Sequence, residues 1–196
     1  MLVPTDNYKL VLGSGSPRRK QLLTDLGLQF SVRVSDADES APDSLSPTET
    51  VEWVAKSKAE ALRGSLADDE LLITADTEVW QENYRFGKPA NVDEARAMLN
   101  KLSGATHQVI SGFCLCDQQT LHTYHVSTTV YFEELSEDVI DFYIAEFQPF
   151  DKAGAYGIQE WIGMIGIHRI EGSYYNVVGL PTSQVFAALK AWPRKA

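Results

Sequence analysis

The sequence predicts an α/β protein: a mixed, partly antiparallel sheet flanked by helices. Strand and helix patterns alternate through the first half of the chain, two long strand patterns joined by a short polar turn follow in the second, and no repeat or low-complexity tract interrupts them. With 196 residues, 44% of them hydrophobic, the chain can bury one good core. A single domain over 1–196 is expected, with room for two lobes around a central cleft.

Lys9 to Gly13 reads as a short strand. Pro17 to Leu26 reads as a helix with Leu22, Leu23 and Leu26 on its apolar stripe, closed by Gly27. Gln29 to Val34 alternates as a strand, and the acidic, Ser- and Pro-containing stretch Asp36–Ser46 is a loop. Ser46-Pro47-Thr48-Glu49 joins a capping box to a proline at the first helical position, so a helix should run from Pro47 to Arg63. The apolar run Leu71–Ala75 predicts a strand buried on both faces and ending at Asp76. Glu78 to Arg85 predicts a hairpin turning near Glu82-Asn83, followed by the loop Phe86-Gly87-Lys88-Pro89. Asn91 with Glu94 caps a helix reaching Leu102, where Gly104 ends it. Thr106–Cys116 and His122–Phe132 predict antiparallel strands about the turn Asp117-Gln118-Gln119, and Ser136–Ala145 a helix. Past the Gly-rich segment Asp151–Gln159, a strand is expected at Met164–Glu171 and a last helix at Thr182–Ala191.

Seventeen Lys and Arg against 27 Asp and Glu give a net charge of −10. A nucleic-acid backbone would be repelled over most of such a surface, whereas a small polyanion needs only a local cluster of cations. No stretch is apolar for the length of a membrane span, and Met1–Asp6 lacks the basic and hydrophobic parts of a secretion signal, so a cytoplasmic protein without membrane association is expected. Cys114 and Cys116, two apart in a strand pattern, share one face and cannot bridge within it; buried free thiols are the favoured reading. His107, His122, His125 and His168 lack zinc-ligand spacing and read as strand-face residues. No Walker motif is present, and Gly13-x-Gly15 lacks the third glycine of a dinucleotide fingerprint.

The stretch Leu12-Gly13-Ser14-Gly15-Ser16-Pro17-Arg18-Arg19 follows an apolar run and opens a helix with Ser16 as N-cap and Pro17 first. Arg18 and Arg19 then fall in the first turn, where the helix already carries partial positive charge, and two cations there imply an anion. Gly13 and Gly15 let the backbone turn and approach it, Ser14 and Ser16 offer hydroxyls, and a phosphate group fits best. An ordinary turn with two solvated arginines reads equally well from this segment alone. Asp76, directly after a buried strand, can hold a divalent metal or deprotonate water, although a lone Asp there more often caps a turn. Lys58, Lys88, Lys152 and Glu39 supply the cations and second carboxylate that phosphate chemistry needs, each alone being an ordinary surface charge. The strand carboxyl ends place the Gly13 turn and Asp76 in one crevice. Trp53, Trp80, Trp161 and Trp192 read as packing residues, and Tyr156 as the better candidate for stacking on a base.

Ser14-Gly15-Ser16-Pro17-Arg18-Arg19, Ser57-Lys58-Ala59, Ala75-Asp76-Thr77, Gly87-Lys88-Pro89, Leu102-Ser103-Gly104 with His107, and Asp151-Lys152-Ala153-Gly154-Ala155-Tyr156-Gly157-Ile158-Gln159 stand in this order. In this the chain resembles the Maf family of nucleoside triphosphate pyrophosphatases, from Leu10 to Pro181. The resemblance implies a single Maf-like domain with a Maf/ITPase-like fold. It also implies a cytoplasmic enzyme, often a homodimer, that hydrolyses a nucleoside triphosphate to the monophosphate and pyrophosphate with a divalent cation, Mg²⁺ or Mn²⁺. Asp76 matches the family's catalytic acid or base, Glu39, Lys58 and Lys88 match charged residues lining its cleft, and Arg18, Thr77 and Gln159 match positions linked to substrate choice. The last motif resembles the branch acting on dTTP and UTP, and a glutamine can present the donor and acceptor that suit the O4 and N3–H edge of thymine or uracil. Ser14, Arg18, Arg19, Lys58, Lys88, Thr77, Lys152 and Gln159 are thus expected to bind substrate, with Glu39 and Asp76 as metal ligands. The chain departs from the family pattern at Gln148, Glu78 and Glu160-Trp161: Glu78 would add a carboxylate to the metal site or shift the pKa of Asp76, and Trp161 would narrow the base pocket. Two other readings compete: a nucleotide- or nucleic-acid-binding regulator of cell division and septum formation without hydrolysis, and a nucleotide hydrolase that releases a single phosphate.

Overall fold

The structure, a computed structural model, describes residues 8–193, so the reading of Met1–Asp6 lies outside the described residues. In chain order the elements are β1 (Lys9–Leu12), α1 (Pro17–Asp25), β2 (Phe30–Val32), α2 (Pro47–Arg63), β3 (Glu70–Gln81), β4 (Tyr84–Phe86), α3 (Val92–Leu102), β5 (Thr106–Cys116), β6 (Leu121–Phe132), α4 (Glu137–Phe147), α5 (Trp161–Gly166), β7 (Ile167–Glu171), α6 (Tyr174–Val178) and α7 (Thr182–Ala191). The strands form a seven-stranded sheet in the order β2-β1-β3-β5-β6-β7, with β4 also on β3. β1 runs parallel to β2 and β3, whereas β4 and β7 run antiparallel to β3 and β6. The expected mixed α/β class is the observed one. Among the described residues no helix is long and apolar enough to cross a membrane.

The chain divides into two compact units. The first comprises Met1–Asp76, Ser111–Val126 and Gly179–Ala196. Its helices start where the sequence says they should. Ser16 caps α1 by accepting from Arg19 N, with Pro17 leading; at α2, Ser46 Oγ accepts from Glu49 N while Glu49 Oε2 accepts from Ser46 N at 2.9 Å. The buried face of α2 repeats at three- and four-residue steps through Val51, Val54, Ala55, Lys58, Ala59 and Leu62. Ala55, Ala59 and Leu62 join Val11, Leu72, Cys114 and Cys116 in the core. Both cysteines are free and buried, as expected. Burial pushes the Cys114 thiol up to about 12 and the Cys116 thiol up to about 11, so neither is a reactive thiolate near neutral pH.

The second unit comprises Thr77–Ile110 and Ser127–Val178. Asn91 caps α3 through Glu94 N at 2.9 Å. The core gathers Val79, Phe86, Leu99, Leu102, Val130, Phe132, Ile140 and Tyr143, together with Tyr156 and Ile158 from the Gly-rich segment.

The structure departs from the sequence reading in four places. β3 does not end at Asp76 but continues to Gln81, so Asp76 lies within a strand rather than at its carboxyl end. Thr77-Glu78-Val79-Trp80 keeps β-branched and aromatic residues in the run with no Gly or Pro to stop it, and the expected hairpin turn at Glu82-Asn83 follows, with Glu82 at φ 53. Met164–Gly166 is helical rather than extended. The turn starts at Glu160, whose carbonyl accepts from Gly163 N at 3.0 Å, and a Cβ on Gly163 would collide with the Ile158 backbone. α6 was not expected, since five residues are too few to display a helical period. The strand read at Gln29–Val34 shortens to Phe30–Val32.

In the first unit, α2 lies so close to β5 that a Cβ on Gly112 would overlap the Val51 carbonyl and stand 2.9 Å from Glu52 N. Because backbone cannot swing aside as a side chain can, Gly112→Ala should lower stability by about 3 kcal/mol. Urea denaturation checks this, and an unchanged midpoint would show that the two elements can separate.

Candidate active site

In the first unit the β1–α1 turn is built around Arg19. Its Nε donates to Gly179 O at 2.9 Å, and its Nη1 donates to Ala75 O at 2.8 Å and to Ser14 Oγ at 3.2 Å. One guanidinium therefore joins the turn, the end of the buried part of β3 and the segment entering α7. Burial lowers the hold of Arg19 on its proton while the Asp76 carboxylate raises it, and arginine stays charged under these conditions. Arg19, expected on phosphate, thus has a second role as a brace, which sequence could not show because Ala75 and Gly179 contribute only carbonyls. Ser14 is buried, accepts from Ser16 N at 3.2 Å, and turns its hydroxyl toward Arg19. Neither Gly13 nor Gly15 adopts the positive φ that would make glycine obligatory for the turn itself. A Cβ on Gly13 would lie 2.6 Å from Thr74 Cγ2, so this glycine is needed for packing, whereas Gly15 faces open space with Val34 at 3.8 Å.

Glu39, Lys58 and Asp76 come together in the same unit. Lys58, brought in on the buried face of α2, places Nζ 3.2 Å from Asp76 Oδ1 and 3.0 Å from Glu39 Oε2. The lysine is 8% exposed, and the Glu39 side chain, from the loop after β2, is 61% exposed. Shared by two carboxylates, this buried lysine fixes Asp76 from one side. No three His, Cys, Asp or Glu side chains are grouped to hold a metal among the described residues. Mg²⁺ commonly takes one or two carboxylates from a protein, and Glu39 and Asp76 are the two that could hold one here.

In the second unit Thr77 follows Asp76 on β3 and is half-buried. Lys88 is exposed, in the loop whose Gly87 carbonyl accepts from Gly154 N at 3.1 Å, and Gln159 is exposed at the end of the same Gly-rich segment. Lys152 is 8% exposed, with Nζ 2.7 Å from Asp151 Oδ1 and 3.0 Å from Glu160 Oε1. Its charge is committed to carboxylates of its own segment. Glu78, 4% exposed, accepts from Trp80 Nε1 at 2.8 Å and pairs with Arg85. Trp161 turns to α4, edge-on to Phe142 and stacked on Phe147.

Tyr156, expected to stack on a base, is instead a core residue. It is 5% exposed, its ring meets Phe132 and His107 edge-on, and its hydroxyl shares a hydrogen bond of 2.7 Å with His107 Nε2. Burial lowers the His107 pKa from 6.5 to about 3, so the imidazole is neutral, with Nδ1 lacking a partner among the described residues.

The family described as Maf-like protein matches residues 9–192. The chain belongs to the Maf family. Among its Maf-family relatives, proteins named dTTP/UTP pyrophosphatase are 50% identical in Parabacteroides distasonis and 49% identical in Phocaeicola vulgatus, each over 191 residues, 97% of this chain and 99% of the relative. One of the same name from Porphyromonas gingivalis is 46% identical over 193 residues, 97% of each chain. The solved Staphylococcus aureus Ham1 protein aligns over 64% of this chain and 72% of its own at 16% identity and a TM-score of 0.41, a likeness too slight to carry an argument.

Two expectations follow from this geometry. Arg19→Lys keeps the charge but not the fork that reaches two carbonyls and a hydroxyl, and should cost about 2 kcal/mol of stability in urea denaturation. A loss below measurement would mean the three bonds are dispensable. For His107, a proton enters the unfolded chain below its ordinary 6.5 but enters the folded one only near 3, so the stabilisation present above 6.5 is lost as pH falls between them. Between pH 7 and pH 5 the wild type should lose about 2 kcal/mol more than His107→Gln, measured by the same denaturation at both pH values.

Proposed function

We propose that this Maf-family chain is a hydrolase that cleaves the α–β phosphoanhydride of dTTP and UTP, releasing the monophosphate and pyrophosphate. The names of the relatives, aligned over nearly the whole chain, support the substrate class. The observation that carries the chemistry is Asp76, largely buried in β3 and held through Oδ1 by the Lys58 ammonium.

In this reading Asp76 accepts a proton from water as its oxygen attacks the α-phosphorus. The bond from that phosphorus to the α–β bridging oxygen breaks, and pyrophosphate leaves with the electron pair. Lys58 orients Asp76 by donating to Oδ1. Arg18, from the first turn of α1, adds positive charge at a helix N-terminus, which is where phosphate oxygens are best accommodated. A divalent cation held by Glu39 and Asp76 would add charge neutralisation on the phosphate oxygens. Lys88 belongs with the phosphates, and Thr77 and Gln159 with the choice of base, Gln159 offering an acceptor to N3–H and a donor to O4.

Incubating wild type and Asp76→Asn with dTTP, UTP and the remaining nucleoside triphosphates, with Mg²⁺ or with EDTA, tests the proposal. Expected are dTMP or UMP with pyrophosphate in the wild type, a fall of about 10³-fold in the folded Asn variant, and no turnover in EDTA. Release of single phosphates would replace the reaction assigned here, and undiminished turnover by Asp76→Asn would remove that carboxylate from it.

A further inference from the structure

We infer that Tyr143, Glu160 and Lys152 form a positioning network that fixes the backbone around Gly157 and so sets the base preference assigned to Gln159; the inference rests on the function proposed above.

The segment 151–159 is not a loop that would hold its shape unaided. Gly154 and Ala155 are left-handed in succession, at φ 71 and φ 59, and the alanine pays a steric cost that its surroundings must offset. Besides the His107 bond to Tyr156 and the Gly154 N bond to Gly87 O, a further tie comes from Tyr143 of α4. Gly157 N donates to the Tyr143 hydroxyl at 3.2 Å, and the same hydroxyl donates its proton to Glu160 Oε2. The other carboxylate oxygen of Glu160 lies 3.0 Å from Lys152 Nζ, which is 2.7 Å from Asp151 Oδ1. Tyr143 is fully buried, and burial, followed by the Glu160 carboxylate, raises its pKa well above the ordinary 10.0, so it remains a proton donor. With Glu160 taking the phenol proton, the oxygen lone pairs are left to face the Gly157 amide.

The ion pair also presses on the loop directly. A Cβ on Gly157 would stand 2.9 Å from Glu160 Cδ, 3.1 Å from Lys152 Cε and 3.2 Å from Gln159 Nε2, so the Gln159 amide folds back onto the atom the network holds. Glu160 N closes the turn onto Gly157 O at 3.0 Å, enclosing Gln159 between two anchored residues. This matters because a glutamine is ambivalent. Rotated half a turn, the amide that accepts from N3–H and donates to O4 of thymine would instead donate to N3 and accept from the 4-amino group of cytosine. Discrimination therefore resides in what holds the amide. Glu160, where the chain departs from the family pattern, is a positioning residue for that choice, and Lys152 serves the network.

The test compares wild type, Tyr143→Phe and Glu160→Gln, each checked for folding by circular dichroism. The measurements are kcat and KM for dTTP and dCTP, and amide hydrogen exchange at Gly157. For Tyr143→Phe the dTTP/dCTP ratio of kcat/KM should fall about tenfold, the yield of one lost hydrogen bond, through KM for dTTP rather than kcat, with faster exchange at Gly157. Glu160→Gln keeps an acceptor for the phenol but loses the ion pair, and should show a smaller fall; it carries the test if the Phe variant does not fold. An unchanged ratio in folded variants of an active enzyme overturns the inference, even if exchange quickens, since the network would then be scaffold only. Wild-type protein that turns over neither dTTP nor UTP overturns the function proposed above, and the specificity role with it.

Discussion

The Arg19 guanidinium is the constraint on which the first unit's site depends. Its carbonyl and hydroxyl partners come from three separate places in the sequence, the β1–α1 turn, β3 and the start of the last segment. A planar cation can satisfy such scattered acceptors at once because its donors point outward in a fixed fork, and their dipoles in turn make burial of the charge tolerable. The carbonyl it holds belongs to Ala75, the residue before Asp76. The position of the Asp76 carboxylate is thus set from the backbone by Arg19 and from the side chain by Lys58.

Lys58 couples helix propensity to electrostatics. The capping box at Ser46 fixes where α2 begins, and counting along its buried face brings position 58 inward beside Ala55 and Ala59. A lysine there would be a costly buried charge without carboxylates to meet it, and Glu39 and Asp76 both do so. The exposed Glu39 sits on an irregular loop, while Asp76 sits in the sheet.

Much of this was legible in the sequence because caps and apolar periods are local. Ser16, Ser46 and Asn91 cap the helices they were expected to cap, and Thr182–Ala191 is the last helix as read. Two of the failures come from side-chain packing that the residue pattern does not display. The acidic residues at 76 and 78 suggested a break, yet β3 continues because Arg85 and Trp80 neutralise and satisfy Glu78 within the sheet. Tyr156 has the composition of an accessible loop residue, and only the fold shows His107 and Phe132 around it. The cations at Arg19 and Lys152 were found from the sequence, but the two carbonyls that Arg19 serves could not be, since backbone carbonyls leave no pattern.

Placing Asp76 within a strand has a further consequence. A carboxylate on a loop can be carried to and from its substrate by fluctuations costing little free energy, whereas one inside a hydrogen-bonded strand moves only if the sheet itself opens. In the proposed reaction Asp76 would therefore need little reorganisation, a restraint that the irregular segments around residues 33–46 and 87–91 lack.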